Sequence, residues 1–259
     1  MSFLKIEDVH HVYFSKDSTT TALENISLAI EEGEFISFLG PSGCGKTTLL
    51  SIIAGLFKPT EGKVEIDGKL VDKARSYIGY MLQQDYLFPW KTIEENILVG
   101  LQIMKNETEQ TKKDTLALLE EIGLKGVESF YPKQLSGGMR QRAALVRTLA
   151  TNPKILLLDE PFSALDYQTK LKLEDLVQET LREYQKTALL VTHDIGEAIA
   201  MSDRIFLLSS KPGRIAKTFE VPTELRELTP FNVRQHPAYS HLFQEIWKEL
   251  DQLEAKLKH

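Results

Sequence analysis

The 259-residue chain has a single cysteine, Cys44. No internal disulfide can form, which suits a reducing compartment. It has no surplus of basic charge. The formal net charge at pH 7 is −6, which argues against a broad electrostatic affinity for nucleic acid. No stretch approaches the ~20 apolar residues that a membrane span requires. The opening MSFLKIEDVHHVYF carries charge where a signal peptide needs an apolar run. Any membrane role is therefore expected to come through a partner. Low-complexity segments and repeats of solenoid period are also missing.

What is present is ordinary for a globular protein: 42% hydrophobic and 26% charged residues. The length suits one large α/β domain or one core with an inserted subdomain. Residues 3–14 read as a strand with patchy alternation, 15–20 as a turn and 23–30 as a second strand. Glu34 to Leu39 is a short apolar run ending at Gly40, as a buried strand would, and Thr47 to Leu56 reads as a helix. Residues 63–71 hold an Asp-Gly hairpin signal. Helical stretches follow near 92–104, 108–122 and 138–150, with Gly123 as a C-cap. Strand character returns at Ile155–Leu158, Ala188–Thr192 and Ile205–Leu208, separated by helical stretches. A last helical stripe runs through Tyr239, Leu242, Phe243, Ile246, Trp247, Leu250 and Leu253. Short buried strands alternating with helices predict a mostly parallel sheet covered on both faces. The expected division is a core of 1–85 and 154–235, a helical subdomain of 86–153 and a C-terminal helix in 236–259.

Gly40-Pro41-Ser42-Gly43-Cys44-Gly45-Lys46-Thr47 matches G-x-x-x-x-G-K-[ST] without a departure, between a predicted strand and a predicted helix. Glycines let backbone N–H groups converge on phosphates, and the helix N-terminus favours an anion. Lys46 can reach the β- and γ-phosphates, the Thr47 hydroxyl can ligate Mg²⁺, and Thr48 extends the cradle. Cys44, at a helix N-terminus beside a lysine, is expected to have a lowered pKa. Its alkylation is then expected to block nucleotide binding, with ATP protecting it.

A second acidic site follows the apolar run 155–158. Asp159 and Glu160 lie where nucleotide sites of parallel sheets are found, beyond the strand ends. Asp159 can hold Mg²⁺ directly or through water, and Glu160 can polarise the attacking water. A solvated acidic turn is the bland alternative. Leu135-Ser136-Gly137-Gly138-Met139 is a second possible anion site at a helix start.

Joined in this order, with His193 downstream, these motifs resemble the ABC ATPase family over about residues 3–220. The resemblance implies a P-loop NTPase core with a mostly parallel sheet, N-terminal antiparallel strands and an inserted helical subdomain. It makes 135–139 the family's Leu-Ser-Gly-Gly-Gln sequence, with Met139 in place of Gln. It implies that Tyr13 stacks on adenine, with Phe14 as the nearby rival. Gln83 would reach Mg²⁺ and the attacking water, with Gln84 one residue away as the alternative. Ser163-Ala164-Leu165-Asp166 looks like the D-loop at a subunit boundary, and His193 like the switch histidine on the γ-phosphate.

In that family Ser136 and Gly138 of one cassette close the nucleotide bound by another. A second copy of the chain, or a homologous cassette, is implied. So are integral membrane permease subunits, an extracytoplasmic solute-binding protein acting indirectly, and a place on the cytoplasmic face of the membrane. ATP and Mg²⁺ are the implied ligands. The aromatic stretch Tyr86-Leu87-Phe88-Pro89-Trp90 is expected to be partly exposed toward the permease. Leu87-Phe88-Pro89-Trp90 and Ser210-Lys211-Pro212-Gly213-Arg214-Ile215 resemble the nitrate/sulfonate/taurine branch of importers. The rivals are a soluble non-transport ABC ATPase, a P-loop kinase and a nonenzymatic nucleotide-binding module.

Overall fold

A computed structural model describes residues 2–16, 18–163 and 165–255. At Asp17, Ala164 and residues 256–259 the expectations above lie outside the described residues. The chain opens with strands β1 (Leu4–Phe14) and β2 (Thr19–Ile30), then β3 (Phe35–Leu39) and helix α1 (Lys46–Ile53). Strands β4 (Glu61–Ile66) and β5 (Lys69–Leu70), a short helix α2 (Val71–Ala74) and β6 (Ile78–Met81) complete the first part. Helices α3 (Ile93–Ile103), α4 (Glu109–Glu121) and α5 (Gly137–Leu149) form a block of their own. Then come β7 (Ile155–Asp159), α6 (Tyr167–Glu183), β8 (Thr187–Thr192), α7 (Ile195–Met201) and β9 (Arg204–Leu208). Strand β10 (Ile215–Glu220) and helices α8 (Thr223–Arg226), α9 (Pro230–Val233) and α10 (Pro237–Ala255) follow.

Two sheets result. One is antiparallel, in the order β2-β1-β4-β5; the other has the order β10-β9-β3-β8-β7-β6. In the second, β9, β3, β8, β7 and β6 run parallel and β10 pairs antiparallel at the edge. Every residue of β3, β7 and β8 is buried. Strands covered on both faces read as continuous apolar runs rather than alternations, as these do. Their C-terminal ends, at Leu39, Asp159 and Thr192, share one edge of the sheet because the pairing is parallel and in register.

Several local differences from the sequence reading have clear causes. The patchy alternation of β1 reflects register shifts on both sides of Asp8, which takes a left-handed backbone (φ 45). A bulge moves the following side chains to the opposite face. The turn expected at 15–20 ends early, because Thr19–Thr21 continue β2, as β-branched residues favour. Asp67 and Gly68 form the expected hairpin turn, both with positive φ. Strand character does not reach residue 71, however. Val71 and Ala74, one helical turn apart, are both buried in α2. Strand β10, absent from the sequence reading, alternates Ile215, Lys217 and Phe219 inward.

The helical block has its own core. Ile93, Ile97 and Leu101 of α3 pack with Leu119 of α4 and with Ala143, Ala144 and Val146 of α5. Each of these helices has a side-chain N-cap: Thr92 and Thr108 in reciprocal capping boxes, and Ser136. At the far end, Leu242 and Ile246 of α10 are buried in the core that includes Ala198 and Met201 of α7. Trp247, part of the same predicted stripe, is instead 58% exposed.

Candidate nucleotide site

The P-loop leaves β3 and enters α1. Gly45 is the N-cap, at φ 94 with no side-chain cap. A Cβ there would lie 2.7 Å from Leu23 Cδ2, so glycine is required by both backbone and space. The first N–H groups of α1 therefore have no capping side chain and suit an anion. Lys46 is 7% exposed, and its ammonium donates to the carbonyls of Gly40 (2.7 Å) and Pro41 (3.1 Å). A cleft of ≈ 430 Å³ over the loop is lined by Ser42 to Thr48, by Thr20 to Ala22 and by Tyr13, Glu160 and Lys211. The hydroxyls of Tyr13 and Thr48 lie 3.1 Å apart. Tyr13, not Phe14, lines this cleft; Phe14 is 74% exposed.

The second edge is assembled by β7 and β8. Asp159 is buried, and the Thr47 hydroxyl donates to its Oδ1 at 3.4 Å. Burial pushes its carboxyl above the usual range, while Thr47, Tyr80 and Lys46 pull the other way and Glu160 adds to the rise. Glu160 takes a left-handed backbone, φ 46, unusual for a residue with a Cβ. Its N–H donates to Val191 O at 2.9 Å, and its carbonyl accepts from the Ser163 hydroxyl at 2.9 Å. The strained turn directs its carboxylate to meet two predicted partners. Gln83 Nε2 donates to Glu160 Oε2 at 3.1 Å, and His193 Nδ1 lies 3.3 Å from the same oxygen. It is Gln83, not Gln84, that makes this contact.

One expectation fails. Cys44 is fully buried, and burial raises its thiol pKa despite the Lys46 ammonium 3.7 Å from Sγ. Desolvation of the thiolate outweighs the nearby positive charge and helix terminus. A low-pKa, reactive thiol at the loop is therefore corrected to an inert, buried one.

Other candidates are not gathered in the cleft. Gly40 and Pro41 lie beneath the loop, as acceptors for Lys46. Ser136 is exposed and caps α5, accepting from Met139 N–H at 3.3 Å. A Cβ on Gly138 would lie 3.2 Å from Leu165 and 3.3 Å from Thr169, so α5 starts in close contact with the region of Asp166. Asp166 caps α6, accepting from Thr169 N–H at 3.0 Å. Met139 is partly buried in the core of the helical block.

The sequence reading missed a set of polar anchors around the aromatic stretch. Buried Asn96 donates to the carbonyls of Phe88, Lys91 and Thr92 and accepts from Phe88 N–H. Arg147 of α5 donates to the carbonyls of Asp85 (2.7 Å) and Tyr86 (2.8 Å), and Arg140 Nε donates to Asp85 Oδ2 at 2.9 Å. Asn96 stands on the apolar face of α3, four residues before Gly100, and a polar residue there was the available signal. Held in this way, the loop exposes Tyr86 (57%) and Trp90 (71%), while Phe88 is half-buried.

A glycine cradle at the end of β3, with a carboxylate pair at the end of β7 two strands across, defines a P-loop nucleotide hydrolase with an inserted helical block. Residues 23–163 match the ABC transporter family. The chain is 63% identical to the uncharacterized ABC transporter ATP-binding protein YtlC of Bacillus subtilis over the full length of both. It is 42% identical to the aliphatic sulfonates import ATP-binding protein SsuB of Bacillus licheniformis, over 95% of this chain and 94% of that one. Among solved structures it resembles the ATP-binding cassette MJ0796, a dimer in a post-hydrolysis state bound to ADP and Pi. There the TM-score is 0.75 at 35% identity, over 85% of this chain and 99% of that one. The chain belongs to the ABC transporter family, as an ATP-binding subunit that hydrolyses ATP in support of transport.

Proposed function

We propose that this subunit drives uptake of a small solute as one half of a head-to-tail cassette pair bound to a membrane permease. The observation that carries the reading is the division of the site within one chain. Gln83 and His193 meet at Glu160 beside the P-loop, yet no residue of 135–142 lines the cleft. A γ-phosphate held by one P-loop needs donors on its open side. The exposed Ser136 and the α5 N-terminus of a second copy are suited to supply them. Asp166, one turn before Lys170 and close to Gly138, would lie at the same boundary.

In the hydrolytic step the Glu160 carboxylate would orient the attacking water and accept its proton. His193 would face the γ-phosphate, Lys46 would stabilise its developing charge, and Tyr13 would support the adenine. Thr47, Asp159 and Gln83 offer a hydroxyl, a carboxylate and an amide, the hard oxygen donors that Mg²⁺ prefers. Among the described residues no group of three or more His, Cys, Asp or Glu is arranged so that it could hold a metal ion by itself. That suits a cation held largely by phosphate oxygens and water. Magnesium, when bound, would neutralise the phosphate oxygens. Loss of the γ-phosphate would remove the bridge between cassettes and let them part.

Among the described residues no helix is long and apolar enough to cross a membrane. The exposed Tyr86 and Trp90 suit a cytoplasmic segment of a permease. The importer reading draws on the likeness to SsuB, and a solute-binding protein would then deliver cargo from outside. The test is Glu160→Gln. It is expected to bind Mg-ATP with near-normal affinity, to lose at least about 10²-fold in kcat, and to run as a dimer with ATP in size-exclusion chromatography with light scattering. A strictly monomeric variant with near-normal turnover would sink the reading.

A further inference from the structure

The turn that carries His193 is fastened on both flanks by an ion cluster outside the nucleotide cleft, in which Lys170 and Glu197 are largely buried and Asp194 is half-exposed. On one side, the Thr192 hydroxyl donates to the Glu197 carboxylate and accepts from Asp194 N–H at 3.0 Å. On the other, Asp194 Oδ1 caps α7, accepting from Gly196 N–H (2.7 Å) and Glu197 N–H (3.2 Å). Lys170 Nζ joins the two flanks: Asp194 Oδ2 and Glu197 Oε1 each lie 2.6 Å away. The lysine is only 14% exposed and leaves the capped first turn of α6. One turn further along α6, fully buried Glu174 lies 2.7 Å from Arg234 Nη2. Arg234, just past α9, is itself fixed to Pro230 O at 2.8 Å.

His193 itself is 63% exposed, and among the described residues Glu160 is its one ionic contact. An imidazole so open cannot be oriented by its own packing, so its backbone must be held instead. A displacement of about 1 Å at a reacting centre can cost roughly 10²-fold in rate. Stability alone does not explain the cluster, because buried ion pairs are often no better than apolar residues of the same shape.

We infer that Lys170, backed by the Glu174–Arg234 pair, is a positioning residue for ATP hydrolysis, clamping the residues on either side of His193 so that the imidazole faces the γ-phosphate. This rests on the reading of His193 given above.

The test is a double-mutant cycle on the full chain, read by phosphate release, Mg-ATP affinity and melting temperature. Lys170→Met is expected to lower kcat about tenfold, with KM and the Mg-ATP Kd held within about twofold, since the P-loop is untouched. In a His193→Ala background the same change is expected to cost less than about twofold, because residues acting as a unit are not additive. Lys170→Arg, which can span both carboxylates, is expected to recover most of the rate. Should Lys170→Met fail to fold, Lys170→Gln, which keeps a donor for one carboxylate, is read in the same cycle. An unchanged kcat, or an equal loss in both backgrounds, overturns the clamp while leaving His193 in its role. If His193→Ala alone leaves kcat intact, the reading of His193 fails, and the clamp with it.

Discussion

Single residues at this site act through their surroundings more than through their type. Glu160 is one carboxylate among many, but its left-handed backbone turns it out of the β7 register toward Gln83 and His193. Such strain persists only where neighbours over-determine it, and Val191 and Ser163 do so here. Cys44 makes the opposite point. Its sequence position promises an activated thiolate, yet its side chain points into the core beneath the loop. Iodoacetamide is therefore expected to label native protein at least about tenfold more slowly than guanidinium-unfolded protein, by mass spectrometry. Cys44→Ala is expected to bind Mg-ATP as the parent does. Rapid native labelling that ATP slows would restore the reactive cysteine.

At the scale of elements, α6, α7, α9 and α10 meet around a buried carboxylate. Burial pushes the Glu174 carboxyl up to about 7, with Arg234 and Lys170 opposing the rise and Glu197 adding to it. Tyr239 of α10, Asp194 and Tyr167 are further titratable groups around this cluster. Although Arg234 is close, neither carboxylate oxygen of Glu174 has a well-aligned hydrogen bond. The folded-state value lies above the unfolded one. The favourable contribution of the protonated form is thus complete below about pH 4.5 and lost as pH rises through about 7. Glu174→Gln mimics the protonated form. Its melting temperature relative to the parent is expected to improve by several degrees, on the order of 2–4 °C per kcal/mol, between pH 6 and pH 8.5. A difference independent of pH would show that Glu174 does not titrate in this range.

Over the whole molecule, two exposed features lie on different parts of one chain. The nucleotide cleft is built at the strand ends of the parallel sheet, and the aromatic loop is pinned to the helical block by Asn96, Arg140 and Arg147. On the proposed function, the same α5, capped by Ser136 and bonded through Arg147 to the carbonyls of Asp85 and Tyr86, would link a second copy's nucleotide to the aromatic loop. On the proposed function, Trp90→Ala is expected to leave the Mg-ATP Kd within about twofold while lowering transport by at least about fivefold, the order lost when an exposed aromatic anchor is truncated. Uptake and ATP turnover measured together in reconstituted vesicles check this. Undiminished uptake would remove Trp90 from the permease contact.

The sequence by itself determined the local features. The apolar runs became β3, β7 and β8, and the G-x-x-x-x-G-K-T spacing predicted its loop and helix. Thr92, Thr108, Ser136, Asp166 and Asp194 cap their helices, and caps and apolar periodicity act over a few neighbouring residues. It could not tell α2 from a longer β5, since both spacings fit a short apolar stretch, and β10 went unread although its alternation was there. Only the tertiary structure put Gln83 rather than Gln84 against Glu160 and Tyr13 rather than Phe14 along the cleft, buried the Cys44 thiol, and brought Lys170 to the turn of His193. Those outcomes depend on burial and on pairs far apart in the chain. Desolvation and ion pairing arise only once distant segments have packed.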